Sequence, residues 1–262
     1  VAGLGAIMPA ADEATLRQSL AGVELVDANA AVLAAKECKD EAELDGTRAA
    51  TRLARSAYDA APDLLRVGAS AQHAVAQLEQ ILRSEGALEL LVFVDRGPYV
   101  VRRVSETVFR PGDLVSVLVE VANADGYWVE IGGLFSLGEP SDKSADLAAG
   151  CYEALERIAD TCRVGTPVRE AAECLDEIAQ KRALGTGVGL AHGVGIDHDL
   201  PNVTHGSTES FKSGHVVSIH PNLLDEEAAL GAVVADGFIV GTDGEAPERI
   251  SGLDSKLTVL AL

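Results

Sequence analysis

The chain has 262 residues, of which 47% are apolar, enough for one large core, and no stretch approaches the ~20 unbroken apolar residues of a membrane span. Lys plus Arg number 21 against 41 Asp plus Glu, a formal charge of −20 that repels phosphate backbones and anionic membrane surfaces. Nucleic acid and membranes are therefore excluded as partners, and a small molecule is expected. The four cysteines (Cys38, Cys151, Cys162 and Cys174) form no CxxC pair, and the last three sit in helical patterns as small apolar fillers. With no basic-then-apolar leader, a reducing cytoplasm is the expected setting.

Residues 1–37 read as a preface: a strand over Val1–Ile7, a short helix over Asp12–Leu20 and a strand over Val23–Val26. This is too little to bury a core, and the segment reads as the end of an N-terminal domain. From Asp40 a long amphipathic helix runs to about Ala60, with a second from Ser70 to about Glu85. Strand-like runs follow at Leu88–Val94, Leu114–Val121 and Gly126–Phe135. The cycle then repeats. A helix over Asp142–Thr161 carries Leu147, Cys151, Leu155 and Ile158 on one stripe, and another follows from Pro167 to about Lys181. Strands return at His215–His220, Gly231–Val234, Phe238–Val240 and Leu257–Leu262.

The two halves align in detail. Arg66-Val67-Gly68 matches Arg163-Val164-Gly165, and without gaps Ala74 falls on Ala171, Leu78 on Leu175, Glu79 on Asp176 and Ile81 on Ile178. An internally duplicated helix–helix–strands unit predicts a pseudo-two-fold α+β fold with its site between the halves.

Five segments in order carry a resemblance. They are Lys39-Asp-Glu-Ala-Glu-Leu44, Arg110-Pro-Gly-Asp113 with Gly126-Tyr127, Leu190-Ala-His192-Gly-Val-Gly195-Ile-Asp197, Ser213–Pro221, and Ala235-Asp236 running to Gly244. Together they resemble the creatinase, aminopeptidase P and methionine aminopeptidase superfamily. The resemblance implies a pita-bread fold over 38–262, a curved antiparallel sheet flanked by the duplicated helices, with 1–37 as the remnant or end of a creatinase-type N-terminal domain. It also implies a homodimer.

Peptidases of that superfamily hold two metal ions with two aspartates, a histidine and two glutamates, and the pair activates a bridging water. On this chain the first aspartate falls on Leu118 or Val119, the second on Glu130, the histidine on His192, the first glutamate on His220 and the second on Ala235. The threonine–arginine support after the second aspartate becomes Gly132-Gly133. A dinuclear site is not expected, and no cofactor is. Val119-Glu120-Val-Ala122 is similar to a run in ectoine hydrolase, which with creatinase cleaves C–N bonds without metal.

The resemblance therefore implies a metal-independent hydrolase or lyase acting on an amidine, guanidine or amino-acid-like molecule. His192, His220, His198 and Glu130 are the expected acid–base set. Arg103, Asp199, Tyr127 and Glu120 are the expected substrate contacts. Glu130 shares a strand face with Trp128, and an apolar-walled carboxylate there is expected to have a raised pKa. His73, His205 and His215 are expected on the surface. The alternatives are a non-catalytic binding domain, or a residual Xaa-Pro-type peptidase with a single Zn²⁺ on Glu130, His192 and His220.

Overall fold

The computed structural model describes residues 8–101, 106–187 and 189–262. The expected strand over Val1–Ile7 lies outside them. Helix α1 (Ala10–Ser19) is as expected, but Val23–Val26 forms no strand: Val23, Glu24 and Val26 are exposed, and only Leu25 is half-buried. A helix the sequence reading lacked, α2 (Asn29–Glu37), follows, and it packs against the later strand β6 (His198–Asn202).

Helix α3 (Glu41–Leu64) starts where Asp40 and Glu43 form a reciprocal capping box, and it continues through Pro62 to end later than expected. Its Ala50, Ala54, Ala57 and Ala61 are fully buried, and these small side chains let the helix lie close on the sheet. Helix α4 (Ala71–Ser84), capped by Ser70, buries Ala74, Leu78 and Leu82 on the same core. The second pair is α5 (Asp142–Thr161), capped by Ser141, and α6 (Arg169–Lys181). Their core holds Leu147, Cys151, Leu155, Ile158, Ala171, Cys174, Leu175 and Ile178.

The strands divide into a four-stranded sheet, β1 (Glu89–Arg96), β2 (Leu114–Ala122), β3 (Trp128–Leu137) and β12 (Thr258–Leu260), in the order β1-β2-β3-β12. A five-stranded sheet has the order β11-β10-β7-β5-β6, from β5 (Ala191–Val194), β6, β7 (Val216–Ile219), β10 (Asp236–Ile239) and β11 (Glu248–Arg249). A small third sheet joins β4 (Gly185–Thr186), β8 (Asn222–Asp225) and β9 (Leu230–Val233). All pairings are antiparallel except β12 with β3. Gly132 and Ala235 exchange backbone hydrogen bonds of 2.8 and 3.2 Å, which bring β3 of the first half beside β10 of the second.

The duplication is legible in backbone detail. Gly68 and Gly165 both adopt positive φ (86° and 84°), and their N–H groups donate to Phe109 and Phe211 at 2.9 Å each. Each phenylalanine is buried and returns a hydrogen bond to the turn before the second helix of its half, to Ala69 and Thr166. Of the aligned apolar pairs, Ala74/Ala171 and Leu78/Leu175 are buried in both halves; Ile178 is buried while Ile81 is half-buried.

Candidate active site

The site lies where the two halves meet. Along β2 and β3 the register sets Glu120 directly opposite Glu130 and Leu118 opposite Gly132, so these side chains share one sheet face. Leu118 lines a cavity of about 290 Å³ there, whereas Val119 is fully buried in the helix-facing core. The sequence alternative between them therefore resolves to Leu118. The cavity is also lined by Glu120, Glu130, His192, His198 and His220, with Val101, Ile131, Val233 and Ala235 as apolar wall.

Glu130 is the hub. Its Oε1 lies 3.3 Å from His192 Nε2, its Oε2 accepts from Ser218 Oγ at 2.7 Å, and His220 Nε2 stands 3.6 Å from Oε2. The expectation of a raised pKa for Glu130 is corrected. Burial does push the carboxyl up, but the His192 hydrogen bond, the His220 and His192 charges and Ser218 outweigh it and hold the pKa at about 2.

His192 has acceptors on both ring nitrogens, Glu130 on Nε2 and the Gly193 carbonyl 2.9 Å from Nδ1. Burial opposes its charge, yet Glu130 prevails and its pKa is raised. The His198 ring stacks on His192 with centroids 3.9 Å apart. Burial and the neighbouring His192 charge lower the His198 pKa. Burial likewise lowers that of His220, against the pull of Glu130. Gly189, with φ of +78°, leaves the room His220 occupies, since a Cβ there would stand 2.9 Å from the ring.

The structure thus gathers His192, His198, His220, Glu130 and Glu120, but not all of the expected substrate contacts. Asp199 is corrected. As the neighbour of His198 on a strand it points to the opposite side, where it is buried against Lys39 Nζ (2.8 Å) and Lys36 Nζ (2.8 Å). Tyr127 packs beside Gly46 of α3, away from the cavity lining. Arg103, like Arg102, lies outside the described residues.

His215 is corrected too: it is fully buried, with Nε2 3.1 Å from Glu37 Oε1, while Lys212 Nζ grips both oxygens of Glu37 at 2.7 Å. Its partner Glu37 belongs to α2, the helix that the sequence reading lacked, so no signal near His215 marked it as buried. His73 is exposed as expected, and so is His205, which stands 3.1 Å from Asp176. Ser218 was also missed, because a serine within an apolar strand run gives no sign of a carboxylate across the sheet junction.

The family model for "Metallopeptidase family M24" matches residues 45–242. The chain belongs to metallopeptidase family M24. It is 22% identical over 227 residues to an uncharacterized peptidase of Staphylococcus haemolyticus, with 80% of this chain and 61% of that protein aligned. To a probable dipeptidase PepE of Mycobacterium bovis it is 26% identical over 217 residues, covering 79% of this chain and 56% of the relative. The chain therefore spans about three-fifths of the length of these relatives. Among solved structures, an Xaa-Pro dipeptidase from Bacillus anthracis superposes with a TM-score of 0.88 at 23% identity, covering 97% of this chain and 73% of that one. An X-Pro aminopeptidase from Thermotoga maritima gives 0.86 at 20% identity, covering 96% and 72%. These likenesses establish the pita-bread fold.

The metal pair that the family's name implies needs hard oxygen donors on both sides of the cavity. This M24 chain places Leu118 and Ala235 in the lining where the resemblance calls for carboxylates. The residues present do not fit a pair of divalent ions. Of the five family positions three carry a possible donor, and among the described residues Glu130, His192 and His220 bring one ligand atom each within 4.8 Å of one another.

Proposed function

We propose that this M24 chain hydrolyses a C–N bond of a small polar molecule by proton transfer within the Glu130–His192–His198–His220 cluster, without the family's dinuclear metal pair. One observation carries the reading: His192 faces acceptors from both ring nitrogens, while two neighbouring histidines are pushed toward their neutral forms. A carboxylate only accepts hydrogen bonds, and so does a carbonyl, so satisfying both requires an imidazolium. Acid and base are then present together at neutral pH, set apart by environment.

In the proposed reaction neutral His198 takes a proton from water as the water oxygen bonds to the substrate carbon. His192 keeps its Nδ1 proton on the Gly193 carbonyl and gives its Nε2 proton, released from Glu130, to the departing nitrogen, and the C–N bond breaks. Glu130 stays ionised and steadies the His192 charge. The cavity, about 290 Å³, sits at the small end for ligand sites, and the two carboxylates on one face favour a cationic amidine, guanidinium or amine. Incubation of the protein with a panel of guanidines, cyclic amidines and amino-acid amides, in chelator, tests this by released amine. Turnover that His192→Ala abolishes supports the reading; turnover that needs added metal defeats it.

The convergence of three donor atoms favours a second reading. With Nδ1 of His192 committed as donor to the Gly193 carbonyl, Nε2 would be free to join Glu130 and His220 around one divalent ion. Such an ion would supply Lewis-acid activation of water for peptide hydrolysis, in keeping with the peptidase names of the relatives. Metal analysis of the purified protein separates the two readings.

A further inference from the structure

Lys39 belongs to one of the segments that carry the family resemblance, yet nothing in the reaction above uses it. Its side chain is almost wholly buried, 1% exposed, and so is that of Asp199, to which its ammonium is bonded at 2.8 Å. Lys36 of α2 joins the same carboxylate at 2.8 Å and lies 3.6 Å from Asp197. A buried ion pair is a costly way to gain stability, because both charges give up water, and packed apolar residues of similar size would serve as well. Its place in the fold suggests what it specifies instead.

Asp199 is the strand neighbour of His198 on β6, so the two side chains leave opposite faces of one short strand. One enters the cavity and stacks on His192; the other is pinned from behind. The strand needs such a pin. The register of β5 with β6 shifts between His192 and Gly193, so ladder hydrogen bonds alone leave β6 weakly specified there. The surroundings leave no slack around the ion pair: a Cβ on Gly195 would stand 2.6 Å from Asp199 Oδ2 and 2.9 Å from Lys39 Cε. Lys39 is itself fixed by its backbone N–H, which donates to the Gly214 carbonyl at 2.8 Å just before β7. The pin therefore ties β6 to the strand that leads to Ser218 and His220.

We infer that Lys39 and Asp199 are positioning residues, which hold β6 so that the His198 ring stays stacked on His192 within the cavity. The inference rests on the reading of His198 as part of the proton-transfer cluster, but the experiment for it needs no turnover. Histidine ring-proton NMR of the full chain, assigned with His198→Gln, reads the ring-current shift that His192 imposes on His198. Acylation of His198 by diethylpyrocarbonate, followed by peptide mass analysis, reads its accessibility.

In Asp199→Asn and Lys39→Met the shift is expected to collapse toward that of a free histidine, and acylation to quicken by about tenfold, as for a ring released from a packed pocket into water. Asp199→Asn leaves the buried Lys39 charge without its partner and can lose its fold, whereas in Lys39→Met the Lys36 ammonium still answers Asp199. The pair Lys39→Met with Asp199→Leu removes both fully buried charges and leaves Lys36, whose side chain is 17% exposed, with Asp197 at 3.6 Å; it is expected to keep the fold while showing the same loss of stacking. Glu37→Gln, which loosens the adjacent Lys212–His215 clasp instead, is the control and should leave the His198 signals in place. A wild-type His198 shift and acylation rate in the folded double variant would overturn the inference, as would an equal change in Glu37→Gln. Loss of stacking with intact turnover would uphold the pin and count against His198 as the base.

Discussion

Glu130→Gln removes the charge on which the cluster turns while keeping nearly the same shape. In the wild-type chain the carboxyl pKa is held at about 2, against 4.5 for a free glutamate. Each unit of difference is worth about 1.4 kcal/mol, so the ionised form contributes about 3 kcal/mol to the folded state. The raised pKa of His192 is the same interaction seen from its partner and is not counted again.

The sign follows from the depressed folded pKa: the contribution is complete above pH 4.5 and is lost as pH falls toward about 2. Urea unfolding at pH 7 should therefore show the variant weaker by up to about 3 kcal/mol, with Gln retaining only part of the Ser218 bond. The gap should narrow steadily below pH 4.5. At the same time the His192 ring, still buried but without its anion, should titrate below 6.5 rather than above it in proton NMR. A gap that does not change with pH, or a His192 titration that does not move, would refute the assignment of Glu130 as the ionised hub.

Other predictions follow from single contacts. Gly193→Ala should unfold the β5–β6 pair, since a Cβ there collides with the Leu200 backbone and stands 2.8 Å from the Asp199 carbonyl; loss of amide-exchange protection over 191–202 checks it. Leu78→Ala, at a fully buried position in the first helical pair, should cost about 3 kcal/mol in urea unfolding, as core leucine truncations do. If the proton-transfer reading holds, turnover should follow a bell in pH. Its acid limb reflects protonation of His198 below its ordinary 6.5, and its alkaline limb loss of the His192 proton above 6.5. Leu118→Asp with Ala235→Glu should create tight binding of divalent metal, measured by calorimetry with Mn²⁺, and the parent is expected to bind no pair of ions in the same titration.

Much of the fold was legible because its signals were local and repeated. Two amphipathic helix pairs, each led into its second helix by an Arg-Val-Gly turn with positive φ at the glycine, imply a duplicated body, and caps at Asp40, Ser70 and Ser141 mark helix starts. The short strands β4, β5, β6 and β8 were not legible. Each spans two to five residues, too few for alternation to show, and β6 contains a proline.

The candidate site was half legible. His192, His198, His220 and Glu130 could be placed by their order along the family pattern, and they converge. The state of Glu130 could not be, because its pKa is decided by Ser218 and two histidines that sequence distance hides. Asp199 was misread for a related reason: its partner Lys39 lies 160 residues away and belongs to a stretch read as leading into a helix.

The two opposed carboxylates bear on how charge is balanced in the cluster. Like charges directly across an antiparallel pair repel, and Glu120 faces Glu130 across β2 and β3. In a dinuclear peptidase the cations compensate such crowding; here Leu118 and Ala235, apolar, line the cavity where the resemblance calls for carboxylates. Glu120 adds to the pull that raises the His192 pKa, after the hydrogen bond and charge of Glu130. The His192 charge in turn helps keep His198 and His220 neutral. Substitution of Glu120 by Gln should accordingly lower the His192 pKa by less than Glu130→Gln does, since it lacks the direct hydrogen bond. An equal drop from both would mean that the histidine reads only net charge in the cavity, and that the Glu130 contact has no special part in making the acid.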